Sequence, residues 1–178
     1  MNATLANDLS DKEIFPIVDE LGHVTGKATR KQCHSGSRLL HPVVHLHIFN
    51  EKGELYLQKR SPRKFIQPGK WDTAVGGHID YGESVDEALR RETQEELGFV
   101  PDNPARLFSY VYDSSIEREL VNSFYIITSQ ENFDFDQEEV DDGRYWTIPE
   151  IRQSLGKNVF TPNFEEEFLK IELKLELK

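Results

Sequence analysis

The stretch GHIDYGESVDEALRRETQEELGF, from Gly77 to Phe99, sets Glu83, Glu92, Glu95 and Glu96 in and beside one short helix. Ser84 followed three residues later by Glu87 is a capping-box start, and Gly98 after Leu97 is a helix stop. The spacing predicts a helix from about Val85 to Leu97. With Val85 at zero and about 100° per residue, Leu89 falls at about +40°, Thr93 at about +80° and Ala88 at about −60°. That arc is the one expected to be buried. Glu92 at about −20°, Glu96 at about +20° and Glu95 at about −80° lie in or beside it, whereas Glu87, Arg90, Arg91 and Gln94 lie opposite. A solvated acidic face would have reversed the two sets.

Like charges about 4 Å apart repel by on the order of 4 kcal/mol at an effective dielectric of about 20, and partial burial makes ionisation harder still. Carboxylates in such a place need bound metal or basic side chains to neutralise them. A set of hard oxygen ligands favours Mg²⁺ or Mn²⁺. The alternative is an ordinary amphipathic helix rich in glutamate.

The segment resembles the signature of the Nudix hydrolases, G-x5-E-x7-R-E-U-x-E-E-x-G-U, where U is a bulky aliphatic residue. The match runs through Gly77, Glu83, Arg91, Glu92, Thr93, Glu95, Glu96, Gly98 and Phe99. Thr93 departs from the pattern, keeping the β-branched shape and adding a hydroxyl, a matter of packing more than of chemistry. The resemblance implies a loop, a helix and a second loop that hold divalent metal against a diphosphate. By the same resemblance, Glu92, Glu95 and Glu96 are the principal metal ligands, the Gly77 carbonyl adds an oxygen, and Glu83 contributes directly or through water. Arg91 then orients a carboxylate by an ion pair.

A divalent ion neutralises the bridging oxygens of a diphosphate and lowers the pKa of a coordinated water, so that attack on phosphorus becomes possible near neutral pH. A carboxylate takes the proton. In this family the base is a glutamate of the helix or one of a later loop, and Glu138 and Glu139, ahead of Asp141, Asp142 and the Tyr145-Trp146 strand, resemble that later position. Glu139 is the preferred residue of the two. The expected catalytic set is therefore Glu92, Glu96, Arg91 and Glu139.

Composition suits a small acidic enzyme. With 178 residues, 37% of them hydrophobic, the chain can bury one sizeable core, and a single domain over residues 1–178 is expected. No apolar run approaches membrane-spanning length and no signal-peptide pattern opens the chain, so a soluble, cytoplasmic protein is expected. The single cysteine, Cys33, excludes an internal disulfide. A formal net charge of −11 opposes binding to a nucleic-acid polymer. A small-molecule diphosphate must then be held by local cations.

The chain reads as mixed α/β. Glu13 to Val18 and His23 to Ala28 form a hairpin around Asp19-Glu20-Leu21-Gly22, and Val43 to Asn50 with Glu54 to Lys59 form a second across Glu51-Lys52-Gly53. Trp71 to Val75 leads into the signature. Strands follow at Leu107 to Tyr112, Ser123 to Ser129 and Arg144 to Thr147, and Ile148-Pro149 opens a short helix. In the tail, Phe164, Phe168, Ile171 and Leu175 fit a helix, while Ile171, Leu173, Leu175 and Leu177 alternate as in a strand; helix is expected through about Glu172. The resemblance sharpens this to an α/β/α sandwich around a mixed β-sheet, with an extra N-terminal β-hairpin. Either the hairpin or the tail is a candidate homodimer interface.

His41, His45 and His47 share one parity in and before a strand, a pattern open to two readings: a transition-metal site such as Zn²⁺, or the polar lining of a sheet face. The runs Leu40-His41-Pro42-Val43-Val44, Leu57-Gln58-Lys59-Arg60-Ser61 and Pro68-Gly69-Lys70-Trp71-Asp72 resemble the flanks of isopentenyl-diphosphate isomerases and their Nudix relatives. Those isomerases use a cysteine on the strand entering the signature, which here reads Trp71-Asp72-Thr73-Ala74-Val75 and carries no thiol. Hydrolysis by water attack on phosphorus, as in a Mg²⁺-dependent pyrophosphohydrolase of nucleoside diphosphate derivatives, is the better-supported reaction. Arg60 and Lys70 are the candidate phosphate contacts.

Overall fold

The protein is described by a computed structural model that covers residues 12–64, 66–135, 137–138 and 140–176. Its elements run β1 (Ile14–Val18), β2 (Val24–Thr29), α1 (Arg30–Cys33), β3 (Leu40–Asn50), β4 (Leu55–Arg60), β5 (Trp71–Asp72), β6 (Val75–His78), α2 (Val85–Leu97), β7 (Ala105–Asp113), β8 (Arg118–Thr128), β9 (Val140–Trp146), α3 (Ile148–Ser154) and α4 (Pro162–Leu175). Strands β1 and β2 make a separate antiparallel hairpin, and the other seven form one sheet in the order β5-β4-β3-β8-β7, with β6 on β3 and β9 on β4. This is the expected α/β fold with a mixed sheet and an additional N-terminal hairpin.

Both predicted hairpin turns rest on side chains that take over backbone donors. The Asp19 carboxylate accepts from the amides of Leu21 and His23, both at 2.9 Å. The Asn50 side-chain oxygen accepts from the amides of Lys52 and Glu54 at 3.0 and 2.9 Å. Helix α2 has the predicted limits. The Ser84 amide donates to the Glu87 carboxylate at 2.9 Å, the Glu87 amide donates back to the Ser84 hydroxyl at 3.3 Å, and Gly98 ends the helix at φ +73°.

Three differences from the sequence expectations have local causes. The run Trp71 to Val75 is not one strand, because the Thr73 amide turns to the Asp72 carboxylate at 2.9 Å and separates β5 from β6. Strand β8 begins at Arg118 rather than Ser123, its first turn of pattern hidden by polar residues that are nonetheless buried, among them Glu119 and Asn122. The tail is helical to Leu175: Thr161 caps it by accepting from the Phe164 amide at 3.2 Å, and Leu173 is 84% exposed while Phe164, Phe168 and Ile171 are buried. That placement follows a 3.6-residue period and excludes alternation.

The described residues fall into two compact units built from interleaved segments. The first takes residues up to Val44 together with Gly77–Leu89 and Phe108–Asn122. Its apolar core holds Phe15, Ala28 and Cys33, and a second cluster of Val18, Leu40 and Leu120. The second unit takes His45–Gly76, Arg90–Leu107 and the chain from Ser123 onward. Its core includes Leu46, Ile48, Leu55, Leu57 and Leu97 and an aromatic series, Trp71, Trp146, Phe160, Phe164 and Phe168, whose successive ring centroids lie 5.1 to 5.8 Å apart.

Candidate active site and metal centres

In the second unit, the C-terminal two-thirds of α2 presents the glutamates. Thr93 and Leu97 are fully buried, which anchors the helix and leaves Glu92 and Glu96 at the margin of the core. Arg91 Nη1 donates to Glu92 Oε1 at 2.7 Å and reaches Glu95 Oε2 at 3.4 Å. Glu95 itself is mostly solvated, its side chain 60% exposed. Gln58, on the neighbouring β4, donates from Nε2 to Glu96 Oε2 at 2.8 Å, and the nearby Gly76 amide also favours the ionised carboxylate.

Electrostatics single out Glu96. Loss of water around it and the nearby charge of Glu92 push its pKa up to about 8, against the opposing influence of Gln58, Lys64 and the Gly76 amide. A carboxyl so placed is an acid lacking sufficient positive charge, and an all-oxygen donor set of this kind fits a hard divalent ion. Among the described residues, the signature carboxylates supply no group of three whose ligand atoms lie within 4.8 Å of one another.

The remaining expected residues fall as follows. Gly77 and Glu83 belong to the first unit, where Glu83 accepts from the Asp80 amide at 3.0 Å. Glu138 is exposed, and Glu139 lies outside the described residues. Arg60 is already engaged: its Nη1 is 3.3 Å from Asp72 Oδ2 and its Nε donates to the Ile66 carbonyl at 3.1 Å. Lys70 supplies its backbone carbonyl to the Arg60 amide at 2.8 Å. Gln58 was not expected, because an amide in a strand carries no sequence signal for the carboxylate it meets.

Of the two readings open for the histidines, the shared metal site falls. His41, His45 and His47 do not share an ion; residues six apart along a strand are separated by about 20 Å, beyond the reach of one metal. His45 and His47 instead hold Glu167 of α4 in the second unit, Nδ1 of His45 at 2.5 Å and Nε2 of His47 at 3.0 Å. Burial opposes ionisation of Glu167, but the charges of His45 and His47 overcome it and hold the carboxyl well below its usual range.

His41 joins a different group, in the first unit, that does have metal-ligand geometry. One ligand atom each from His34, His41, His78 and Glu119 lies within 4.8 Å of all the others. The Nδ1 atoms of His34 and His41 each sit 2.9 Å from a backbone carbonyl, of Arg30 and Leu39, which makes Nδ1 the donor and turns Nε2 inward. The Nε2 atoms of His34 and His78 are 3.1 Å apart, and among the described residues buried His41 Nε2 has no hydrogen-bond partner. His41 and His78 stack on the Phe15 ring, at 5.8 and 4.4 Å between centroids. Burial lowers the His41 pKa. At His34 burial is the largest single influence, but the hydrogen bonds to Glu117 and the Arg30 carbonyl together with the Glu117 charge outweigh it, and the net shift is upward. Inward-facing imidazole nitrogens beside one carboxylate suit a transition ion more than Mg²⁺. His34 and His78 were missed in the sequence because they come from separate segments.

Comparison with known proteins gives the family. The NUDIX domain model matches residues 39–167. An uncharacterised Nudix hydrolase of Listeria monocytogenes is 32% identical over 157 residues, covering 85% of this chain and 90% of its own. An isopentenyl-diphosphate Delta-isomerase of Streptomyces avermitilis is 29% identical over 164 residues, 89% of this chain and 83% of its own. Among solved structures, DR0079 from Deinococcus radiodurans superposes with a TM-score of 0.72 at 26% identity, covering 86% of this chain and 96% of that one. The chain belongs to the Nudix family, as a hydrolase acting on phosphorus-containing anhydrides. Among the described residues, no helix is long and apolar enough to cross a membrane.

Proposed function

We propose that this chain is a cytoplasmic, Mg²⁺-dependent pyrophosphohydrolase that cleaves the diphosphate linkage of a nucleoside diphosphate derivative or similar small molecule by water attack on phosphorus. The observation that carries the reading is the glutamate set of α2, in which Glu96 sits half-buried beside Glu92 with its pKa pushed up to about 8. Glu92, Glu95 and Glu96 would hold the ion. When bound, it supplies charge neutralisation for the diphosphate and an acidified water. Arg91 orients Glu92, Gln58 fixes one oxygen of Glu96, and Glu92, Glu96 or Glu139 receives the proton of the attacking water. Arg60 and Lys70 are the proposed phosphate contacts, Arg60 being already oriented by Asp72. A panel of diphosphate compounds assayed with Mg²⁺ or Mn²⁺ tests this. Release of phosphate or a monophosphate should vanish in Glu96→Gln, and unchanged turnover in that variant would overturn the assignment.

A second reading, isomerisation of isopentenyl diphosphate, is favoured by the similarity to the Streptomyces avermitilis isomerase. Against it, Cys33 is fully buried in the first unit, where loss of solvent raises its thiol pKa to about 11. Formation of dimethylallyl diphosphate, followed by proton NMR, would revive this reading.

A further inference from the structure

Glu167 is an expensive residue for its position. It lies on the same face of α4 as Phe164, Phe168 and Ile171, all buried, and is itself 0% exposed. An ionised carboxylate withdrawn from water is strongly disfavoured before its partners are counted, and an apolar residue of similar volume is commonly as stable or more so. Packing alone gives no reason for a glutamate here.

Its two partners both act on one short segment. His47, whose Nε2 faces Glu167, has its Nδ1 3.2 Å from the Thr73 hydroxyl, and that hydroxyl is 3.3 Å from the Leu46 carbonyl. His45, whose Nδ1 faces the other carboxylate oxygen, presents its opposite edge to Gly76. A Cβ built on Gly76 would lie 3.4 Å from His45 Cδ2 and 3.5 Å from His45 Nε2, with the Thr73 methyl at 3.5 Å. One carboxylate thus fixes two rings, and the rings bracket Thr73 to Gly76 at both ends. The far end of that segment matters most, since the Gly76 amide faces the Glu96 carboxylate and favours its ionised form. Glu167, His45, His47, Thr73, Gly76 and Glu96 all belong to the second unit.

We infer that Glu167 and His45 are positioning residues for the glutamate site: Glu167 fixes the His45 ring, the ring fixes the backbone at Gly76, and the Gly76 amide holds Glu96 in place to bind the ion. The inference rests on the proposed role of Glu96. It assigns α4, an element remote in sequence from the signature, a part in metal binding.

Three variants test it: Glu167→Gln, which keeps the shape, His45→Phe, which keeps a ring without Nδ1, and Glu96→Gln. Mg²⁺ is the probe, because hard ions disfavour the separate imidazole cluster. Affinity is measured by calorimetry, and kcat and KM are measured on the diphosphate turned over best by the parent, well below each variant's melting temperature. Groups that orient metal ligands typically contribute about tenfold or more to affinity or activity. Glu167→Gln and His45→Phe, folded by circular dichroism, should weaken Mg²⁺ binding about tenfold and lower kcat with KM little changed. Faster hydrogen exchange at the Gly76 amide should accompany both, a local change that general loosening of α4 would not single out. Parental Mg²⁺ affinity and Gly76 protection in both variants, with binding lost in Glu96→Gln, would overturn this inference alone. Parental binding in Glu96→Gln would overturn the hydrolase site and this inference together. A variant that does not fold is replaced by Glu167→Asp, which shortens the reach to His45 and should give the same loss in smaller measure.

Discussion

Gln58 Nε2 donates to Glu96 Oε2 at 2.8 Å, so a neutral amide on strand β4 fixes one oxygen of a strongly perturbed carboxylate of the signature helix. Removing that donor leaves the carboxyl with less support for its ionised form. Gln58→Leu should therefore weaken Mg²⁺ activation, with an apparent metal affinity lower by about tenfold and a smaller effect on maximal rate at saturating ion. Activity titrated against Mg²⁺ checks it.

The same carboxyl gives a pH dependence with a definite sign. Its folded pKa of about 8 lies above the ordinary value of 4.5, so between these limits the folded state keeps a proton that the unfolded state has lost. Without metal, the contribution of Glu96 to stability is fully favourable below 4.5 and declines as pH rises through 8. Melting temperature followed across that window in chelator should fall more steeply in the parent than in Glu96→Gln. Binding of Mg²⁺ near neutral pH should release a proton to the buffer, because the ion and the proton compete for one carboxylate.

How far the sequence could be read depended on whether a feature was local. The limits of α2 were legible because Ser84, Glu87 and Gly98 act within a few residues of the ends they define. The burial of Ala88, Leu89 and Thr93 and the exposure of Arg90 and Gln94 were legible from helical angle. Partners drawn from distant segments were not: nothing near Glu96 announces Gln58, and nothing near His45 announces Glu167, 122 residues later. Parity left the role of His41 open, because sharing a face says nothing about separation along the strand. The imidazole cluster draws on α1's C-cap, β3, β6 and β8, four elements no spacing rule connects.

That cluster predicts a metal response distinct from that of the glutamates. A transition ion such as Zn²⁺, bound only by the folded state, raises stability by about 2.7 kcal/mol at a hundredfold excess over its dissociation constant. Zn²⁺ added to chelator-treated protein should raise the melting temperature, and His41→Ala or His78→Ala should abolish the rise while Glu96→Gln retains it. Metal content by plasma mass spectrometry checks the stoichiometry. A thermal shift that survives both histidine substitutions would remove the cluster from consideration.

Strand β9 pairs with β4 so that Gly143 stands opposite Gln58 and Tyr145 opposite Tyr56. The Tyr56 ring is buried, and its hydroxyl occupies the place a side chain at position 143 would take, with Cβ and hydroxyl colliding outright. Glycine here marks a close approach and not a turn. Gly143→Ala must move either Tyr56 or β9, and overpacking of this kind typically costs about 1–3 kcal/mol. Because β4 also carries Gln58, a shifted strand should weaken Mg²⁺ activation as well as lower the melting temperature. Tyr56→Phe removes the colliding oxygen, so the double variant should recover part of both losses relative to Gly143→Ala. Denaturant melts of the two single variants and the double variant measure the coupling, and strict additivity would place the cost of Gly143→Ala elsewhere.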